Sequence, residues 1–357
     1  MADNKENKVL NVPALRFPEF TEEWNYESLD TIAPNITSGR SKPSLGEYNL
    51  YGSTGIIGKT ATADYSGDML LVARVGANAG SLQLVNDSCG ITDNTLIIKP
   101  CKLSSHYLYF YLQHYNLNRL VFGSGQPLIT AGMLKKVRIP FGNQLEQKKI
   151  ENFLCCIDER ITTQNKIIED LKKLKSAISE RLFKSVKGFT VLLSDLCDIV
   201  KGKQINGENL SDSGNYYVMN GGTEPSGYYD NYNVEASTIS ISEGGNSCGY
   251  VQFNTSPFWS GGHCYSIQNI ADKVDNMYLY HYLKSNEDVI MKLRIGSGLP
   301  NIQKKDLAMF KIIVPKIERQ ITISTFLSSL ERKVEIEERI QNVMQKQKLY
   351  LLQQMFI

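Results

Sequence analysis

Three stretches of the 357-residue chain carry residue types that could do chemistry. "GSTGIIGKT" (52–60) approaches the phosphate-cradling pattern G-x-x-x-x-G-K-[ST], which would bind a nucleotide. Five residues rather than four separate Gly52 from Gly58, and the matching stretch "NGGTEPSG" (220–227) has no lysine. It therefore reads as a turn between strands. "FGSGQPLIT", from Phe122, has glycines at the wrong offsets for an F-x-G-x-G loop that holds S-adenosylmethionine. An N-P-P-[FY]-like tetrapeptide is excluded because no two prolines are adjacent. His263-Cys264 with Cys248 could be imagined around a metal, but a fourth ligand at sensible spacing is missing. No acid/base pair of carboxylates is recognisable. The expectation is a chain with no catalytic, cofactor-binding or metal residues of its own: it binds.

The elements that carry these loops occur twice. "IGSGLPNIQ", from Ile295, answers "FGSGQPLIT", and "YLYFYL" (107–112) is answered by "YLYHYL" (278–283). "VGANAG" (75–80) is answered by "GGNSCG" (244–249), in the same order and at offsets between 169 and 175. A repeat this long implies two related globules. Each is rich in Gly, Tyr, Ser, Asn and Thr. Short apolar runs such as "DMLLVARVG" and "TLIIKP" read as strands between turns, and "SHYLYFYLQHYN" and "NMYLYHYLKSN" read as short amphipathic helices.

After Pro140 and Pro315 each copy continues into a long segment that reads as a helix. In the first, Ile150, Leu154, Ile157, Ile161, Ile168, Leu171, Ile178 and Leu182 follow a 4–3 spacing interrupted by Gln164 and Lys175. In the second, Leu327, Leu330, Val334, Met344, Leu351 and Met355 do so, with Glu337, Gln341 and Lys348 as polar breaks. A heptad seam needs a partner, and the other copy supplies one. Each helix would span about 60 Å, and antiparallel packing would return the C-terminus toward the first globule. The GSG loops read as turns that hand each globule over to its helix.

Composition is compatible with this. Of the residues 42% are hydrophobic and 21% charged, and the net charge is +2, which neither demands nor excludes a polyanionic partner. Seven cysteines without C-x-x-C spacing argue for a reducing cytoplasm, and neither a signal peptide nor a membrane span is recognisable. The turns hold amides, hydroxyls and cations of the kind that contact bases and phosphates. The candidates are Arg40, Lys42, Lys59, Arg74, Asn78, Ser124 and Gln126 in the first copy. In the second they are Lys203, Gln204, Asn206, Asn246, Ser297 and Asn301.

With "ALRFPEFTEEW" near the start and the twice-repeated "GSG-x-P", "IP…EQ..I..FL..ID" and "VP…ER…I..FL..LE", the chain resembles the specificity (S) subunits of type I restriction-modification systems. The resemblance covers nearly the whole chain. It implies an α+β fold of two similar mixed α/β target recognition domains separated by two long antiparallel coiled-coil helices, with an internal pseudo-two-fold repeat. The domains would be residues 1–145 and 188–315, and the spacer helices 146–187 and 316–357. It also implies recognition of a bipartite asymmetric site on double-stranded DNA, with the helices as a ruler. Partners would be two methyltransferase (M) subunits and restriction (R) subunits, which would hold the S-adenosylmethionine and ATP. The second copy departs in having Arg319 for the glutamine of the EQ pair and one residue inserted before Phe326. A protein-only scaffold, or the specificity subunit of a type II-like or phase-variable system, are the alternatives.

Overall fold

Contacts within the computed structural model, which describes residues 11–123, 127–296, 298 and 300–357, divide the chain into two units. Unit 1 comprises residues up to 165 together with 339–357, and unit 2 comprises residues 166–338. Both contain a four-stranded sheet. In unit 1 it is built from β1 (Thr37–Ser38), β2 (Asp68–Ala73), β3 (Leu82–Asn86) and β4 (Thr95–Ile98), in the order β1-β4-β2-β3. The core helix α1 (Ser105–Tyr115) and the long helix α2 (Gln144–Ser185) follow. Unit 2 repeats the sheet with β5 (Asp198–Lys201), β6 (Thr238–Ser242), β7 (Val251–Asn254) and β8 (Cys264–Gln268), in the order β5-β8-β6-β7. Helices α3 (Asn276–Ser285) and α4 (Ile317–Met355) close the chain. All neighbours in both sheets are antiparallel. "DMLLVA" and "TLII" thus form strands, as their β-rich, turn-bounded runs predict.

Of the "GSTGIIGKT" stretch only Ser53 and Thr54 form the expected turn, and the rest is strand. Tyr48–Gly52 and Gly55–Thr60 pair as a hairpin, joined in parallel by Gly90–Ile91. Unit 2 builds the same small sheet from Tyr216–Met219, Tyr228–Tyr229 and Trp259–Ser260.

The aromatic repeat "YLY" explains why α1 and α3 sit in the cores. Each helix is N-capped, by Ser104 accepting from the Tyr107 amide at 3.0 Å and by Asp275 accepting from the Tyr278 amide at 2.7 Å. The buried hydroxyls of Tyr107 and Tyr278 need acceptors, and they donate to the carbonyls of Pro140 (3.0 Å) and Ile313 (2.7 Å). Each tyrosine pair also receives a phenylalanine. Phe356 packs edge-on to Tyr107 and Tyr111 in unit 1, and Phe183 does so to Tyr278 and Tyr282 in unit 2.

The long helices bear out the heptad reading. Every seam residue predicted on α2 and α4 is buried or half-buried, from Ile150 to Leu182 and from Leu327 to Met355. Within unit 1, Asp158 pairs with Lys348 at 2.6 Å and Asn165 with Gln341. Within unit 2, Lys172 pairs with Glu338 at 2.6 Å and Lys175 with Glu331 at 2.5 Å. In both units one number rises as the other falls, so the helices are antiparallel.

The structure corrects the register of the second helix start. Gln147 donates to the Gly142 carbonyl five residues earlier at 2.8 Å, and Gln320 donates to Pro315, also five earlier, at 2.9 Å. Gln320, not Arg319, therefore stands in the place of Gln147. Phe153 and Phe326 then align at the same offset, and no residue is inserted between them. The deciding observation is this shared bond; Gln320, fully enclosed, also bonds the Lys273 carbonyl and the Asp275 amide.

Candidate nucleic-acid interface

In each unit the loops converge at one end of the four-stranded sheet, and the same hydrogen bonds hold them there. The segment leaving the first strand passes so close to a neighbouring backbone that only glycine fits. A Cβ on Gly39 would lie 2.2 Å from the Ile91 carbonyl oxygen, and one on Gly202 would lie 2.2 Å from that of Gly261. The strand that follows in the centre ends at Arg74 or Glu243. Their amides donate to Asn94 (2.8 Å) and His263 (2.8 Å), and their carbonyls accept from Ile129 (2.9 Å) and Ile302 (2.8 Å).

The turn beyond begins with Gly76 or Gly245, at φ 81° and 80°, a region costly for any residue with a side chain. Their amides donate to the carbonyls of Pro127 (2.9 Å) and Pro300 (3.0 Å), which fixes those prolines against this turn. The flanks of each GSG loop pair with one another, Phe122 with Leu128 and Ile295 with Asn301. The loop does not pass directly into the long helix. A short helix (Ala131–Lys135 or Lys304–Ala308) and a strand (Arg138–Phe141 or Lys311–Val314) intervene. Those strands must pair with Asn25–Ser28 and Phe189–Leu192 before the helix can start.

This end gathers most of the sequence candidates. Arg40 follows Gly39, Arg74 caps β2, and Asn78 lies in the glycine turn. Lys203 and Gln204 follow Gly202, Asn246 lies in the second glycine turn, and Asn301 pairs with Gly244 and Ile295. Arg40, Asn78, Lys203, Gln204, Asn246 and Asn301 are exposed, and Arg74 is half-buried. Lys42 and Asn206 are exposed further along the segments that leave the sheets. Lys59 is elsewhere, on the hairpin strand, donating to the Glu47 carbonyl (3.0 Å) and Asn49 Oδ1 (2.9 Å). Ser124, Gln126 and Ser297 lie outside the described residues.

A cluster that the sequence reading passed over sits at the same end of unit 2. Glu243 is buried, and its carboxylate accepts from Lys201 Nζ at 2.6 Å and from the Tyr265 hydroxyl at 3.1 Å. His263 Nδ1 stands 4.0 Å from its other oxygen, which has no hydrogen-bond partner. Burial, with the Glu243 charge second, pushes the Tyr265 phenol well above its ordinary pKa, so it remains a donor. The signal was one residue away: the repeat "VGANAG"/"GGNSCG" extended backwards aligns Arg74 with Glu243.

Among the described residues, no group of three His, Cys, Asp or Glu could hold a metal. No described helix is long and apolar enough to cross a membrane. The arrangement offers donors and acceptors on a fixed backbone, suited to reading a polar surface.

Comparison with known proteins agrees with the doubled architecture. Residues 9–173 and 188–346 each match the family model for the type I restriction modification DNA specificity domain. A protein of Mycoplasma genitalium named as a type I specificity subunit is 26% identical over 230 residues, covering 59% of this chain and 60% of the relative. The chain thus spans less than two thirds of that relative's length. A protein of Methanocaldococcus jannaschii, named as the specificity subunit of restriction enzyme MjaX, is 26% identical over 297 residues. That match covers 71% of this chain and 68% of the relative. In fold, the crystal structure of a type I restriction-modification S subunit from M. genitalium matches with a TM-score of 0.71 at 19% identity. It covers 97% of this chain and 99% of that one. With both halves matched, this chain belongs to the family of type I restriction-modification DNA specificity domains.

Proposed function

We propose that the chain is the non-catalytic recognition subunit of a type I restriction-modification complex in the cytoplasm. Each unit reads one half of a bipartite, asymmetric site on double-stranded DNA through the loop end of its four-stranded sheet. Two methyltransferase subunits and the restriction subunits dock on the chain and supply the chemistry, with S-adenosylmethionine and ATP bound in those partners. The observation that carries this reading is one backbone scaffold built twice and furnished with different side chains, as two readers of unlike half-sites require.

The test is a domain exchange. Replacing residues 18–140 with the matching part of a relative, in the complex with methyltransferase subunits, changes one half of the methylated motif and leaves the other intact. Sequencing of methylated DNA reads the outcome. A change in both halves would refute the two-reader model. A chain that shifts no duplex in a gel, with or without methyltransferase subunits, would point to a protein-only scaffold.

A further inference from the structure

The two loop ends share a backbone but not a charge pattern, and that difference extends the DNA-reading proposal, on which it rests, to single residues. At three equivalent positions unit 1 carries Ser38, Arg74 and Asn94, and unit 2 carries Lys201, Glu243 and His263. Hydrogen bonds fix the equivalence. The amides that follow Ser38 and Lys201 donate to Thr95 (3.0 Å) and Cys264 (2.9 Å), and those of Arg74 and Glu243 donate to Asn94 and His263.

The cation therefore changes strand. In unit 1 it is Arg74, at the end of the interior strand β2, and its guanidinium pairs with no other described residue. In unit 2 the same position is acidic, and its carboxylate is taken up. Glu243 is one-tenth exposed and grips Lys201, whose side chain at the end of edge strand β5 remains about half exposed (53%). Tyr265, on the strand between them, braces the carboxylate from below and also donates to the Ile302 carbonyl at 3.1 Å.

We propose that Arg74 and Lys201 are the specificity-determining donors of the two units, each aimed at an acceptor edge of a base. Glu243 is the positioning residue that holds Lys201. Arg74, with its planar fork free, suits bidentate contact with guanine O6 and N7, the commonest specific pairing in the major groove. Lys201 is a point donor confined by its carboxylate to one direction. Two strand spacings, about 10 Å, separate the positions of the two donors on the common scaffold. That is about three base-pair steps, so the two units select their acceptor bases at different places in their half-sites.

The experiment selects duplexes from a randomised pool with the full chain in complex with methyltransferase subunits. Thermal unfolding of each variant runs in parallel. Arg74→Lys keeps the charge and removes the fork. It lowers guanine preference at one position of the first half-site about 10-fold and leaves the second half-site unchanged. The exchange Ser38→Lys with Arg74→Glu moves the preferred position within the first half-site. Glu243→Gln keeps size and shape, and it flattens preference at one position of the second half-site with little change in binding to random DNA. A merely structural role for Glu243 would instead lower all binding together with the unfolding temperature. Folded Arg74→Lys and Glu243→Gln variants that select the unaltered motif would overturn the proposal. A wild-type complex that selects no motif at all would instead overturn the DNA-reading function beneath it.

Discussion

Units 1 and 2 reach the same fold with different chemistry at matching core positions. Phe110 is fully buried on α1 in unit 1, and its counterpart on α3 is His281, also buried, whose Nε2 lies 2.9 Å from the Ser328 hydroxyl on α4. Position 155 on α2, which matches Ser328, is a cysteine packed against the unit 1 core. An apolar pair in one unit thus corresponds to a hydrogen-bonded pair in the other. At the start of the long helices the asymmetry reverses. Glu146 is fully buried and held by Arg16 Nε (2.6 Å), Arg16 Nη2 (2.8 Å) and Trp24 Nε1 (3.0 Å), whereas its counterpart Arg319 is exposed. A buried polar group is tolerated at either place, provided its partners come with it.

Removing a partner should therefore have the largest effect. Arg16→Ala leaves the Glu146 carboxylate buried with only the indole N–H, and should cost about 3–5 kcal/mol. Arg319→Ala should cost less than about 0.5 kcal/mol. Chemical unfolding measures both, and hydrogen exchange assigns the Arg16 loss to unit 1. Equal effects of the two variants would break the comparison.

Acid should separate the units next. Burial, the largest cause, pushes His281 down to about 4; the nearby Glu331 and Asp275 charges oppose this, and Lys175 adds to it. The unfolded chain therefore binds a proton between pH 6.5 and 4 that the folded unit does not. The contribution of this site is complete above pH 6.5 and is lost as pH falls toward 4, by about 3 kcal/mol in all. Hydrogen exchange at pH 7 and pH 5 should show opening of unit 2 gaining on unit 1. His281→Phe with Ser328→Cys, which installs the unit 1 pair, should remove this slope from unit 2 and leave that of unit 1, where burial also lowers His114, as it was; an unchanged slope in unit 2 would show that another group carries it.

What was legible in the sequence follows the same division between local and distant causes. The seam from Ile150 to Met355 could be read because a 3.5-residue apolar period is written directly in the chain, and the strands and the "YLY" helices were local patterns too. The Glu243 cluster was not legible, since Lys201 and Tyr265 reach the carboxylate across 42 and 22 residues of sequence. In the sequence Arg319 reads as the counterpart of Gln147 because each directly follows a glutamate, Glu318 and Glu146. Only the carbonyl that Gln320 bonds five residues back, as Gln147 does, sets the true register. Phe183 and Phe356 were invisible as core residues for a related reason. Each lies at the C-terminal end of a long helix and packs on tyrosines distant in sequence.

The capping residues give a smaller contrast. Ser104 both accepts from the Tyr107 amide and donates to Glu151 Oε2 at 2.6 Å, while Asp275 serves the Tyr278 amide. Each replacement by alanine should cost about 1 kcal/mol. Ser104→Ala should be the more costly, because Glu151, itself buried, loses an acceptor role there and retains only Lys148 at 2.8 Å. Equal losses in equilibrium unfolding would mean that the Ser104–Glu151 bond adds nothing to the cap.

The smallest effect should come where the units agree most closely. Lys175 and Lys348 occupy the same seam position on α2 and α4, and each meets an acid on the facing helix, Glu331 at 2.5 Å and Asp158 at 2.6 Å. Both pairs are partly exposed, with lysine side chains 24% and 16% accessible, so solvent screens the attraction. Lys→Met at either position restores an apolar seam and releases a carboxylate that can turn toward water. The two contributions oppose each other, and unfolding should shift by less than about 1 kcal/mol in either direction. The acids respond differently if the pairs matter for alignment rather than stability. Glu331 also accepts from the Tyr280 hydroxyl at 3.3 Å, which ties the seam of unit 2 to its core helix. Lys175→Met should therefore leave Glu331 anchored, whereas Lys348→Met frees Asp158 entirely. Hydrogen exchange along α2 should then rise around residue 158 in the Lys348 variant and remain near wild type around residue 175 in the other; the opposite ordering would show that Tyr280 does not secure the seam.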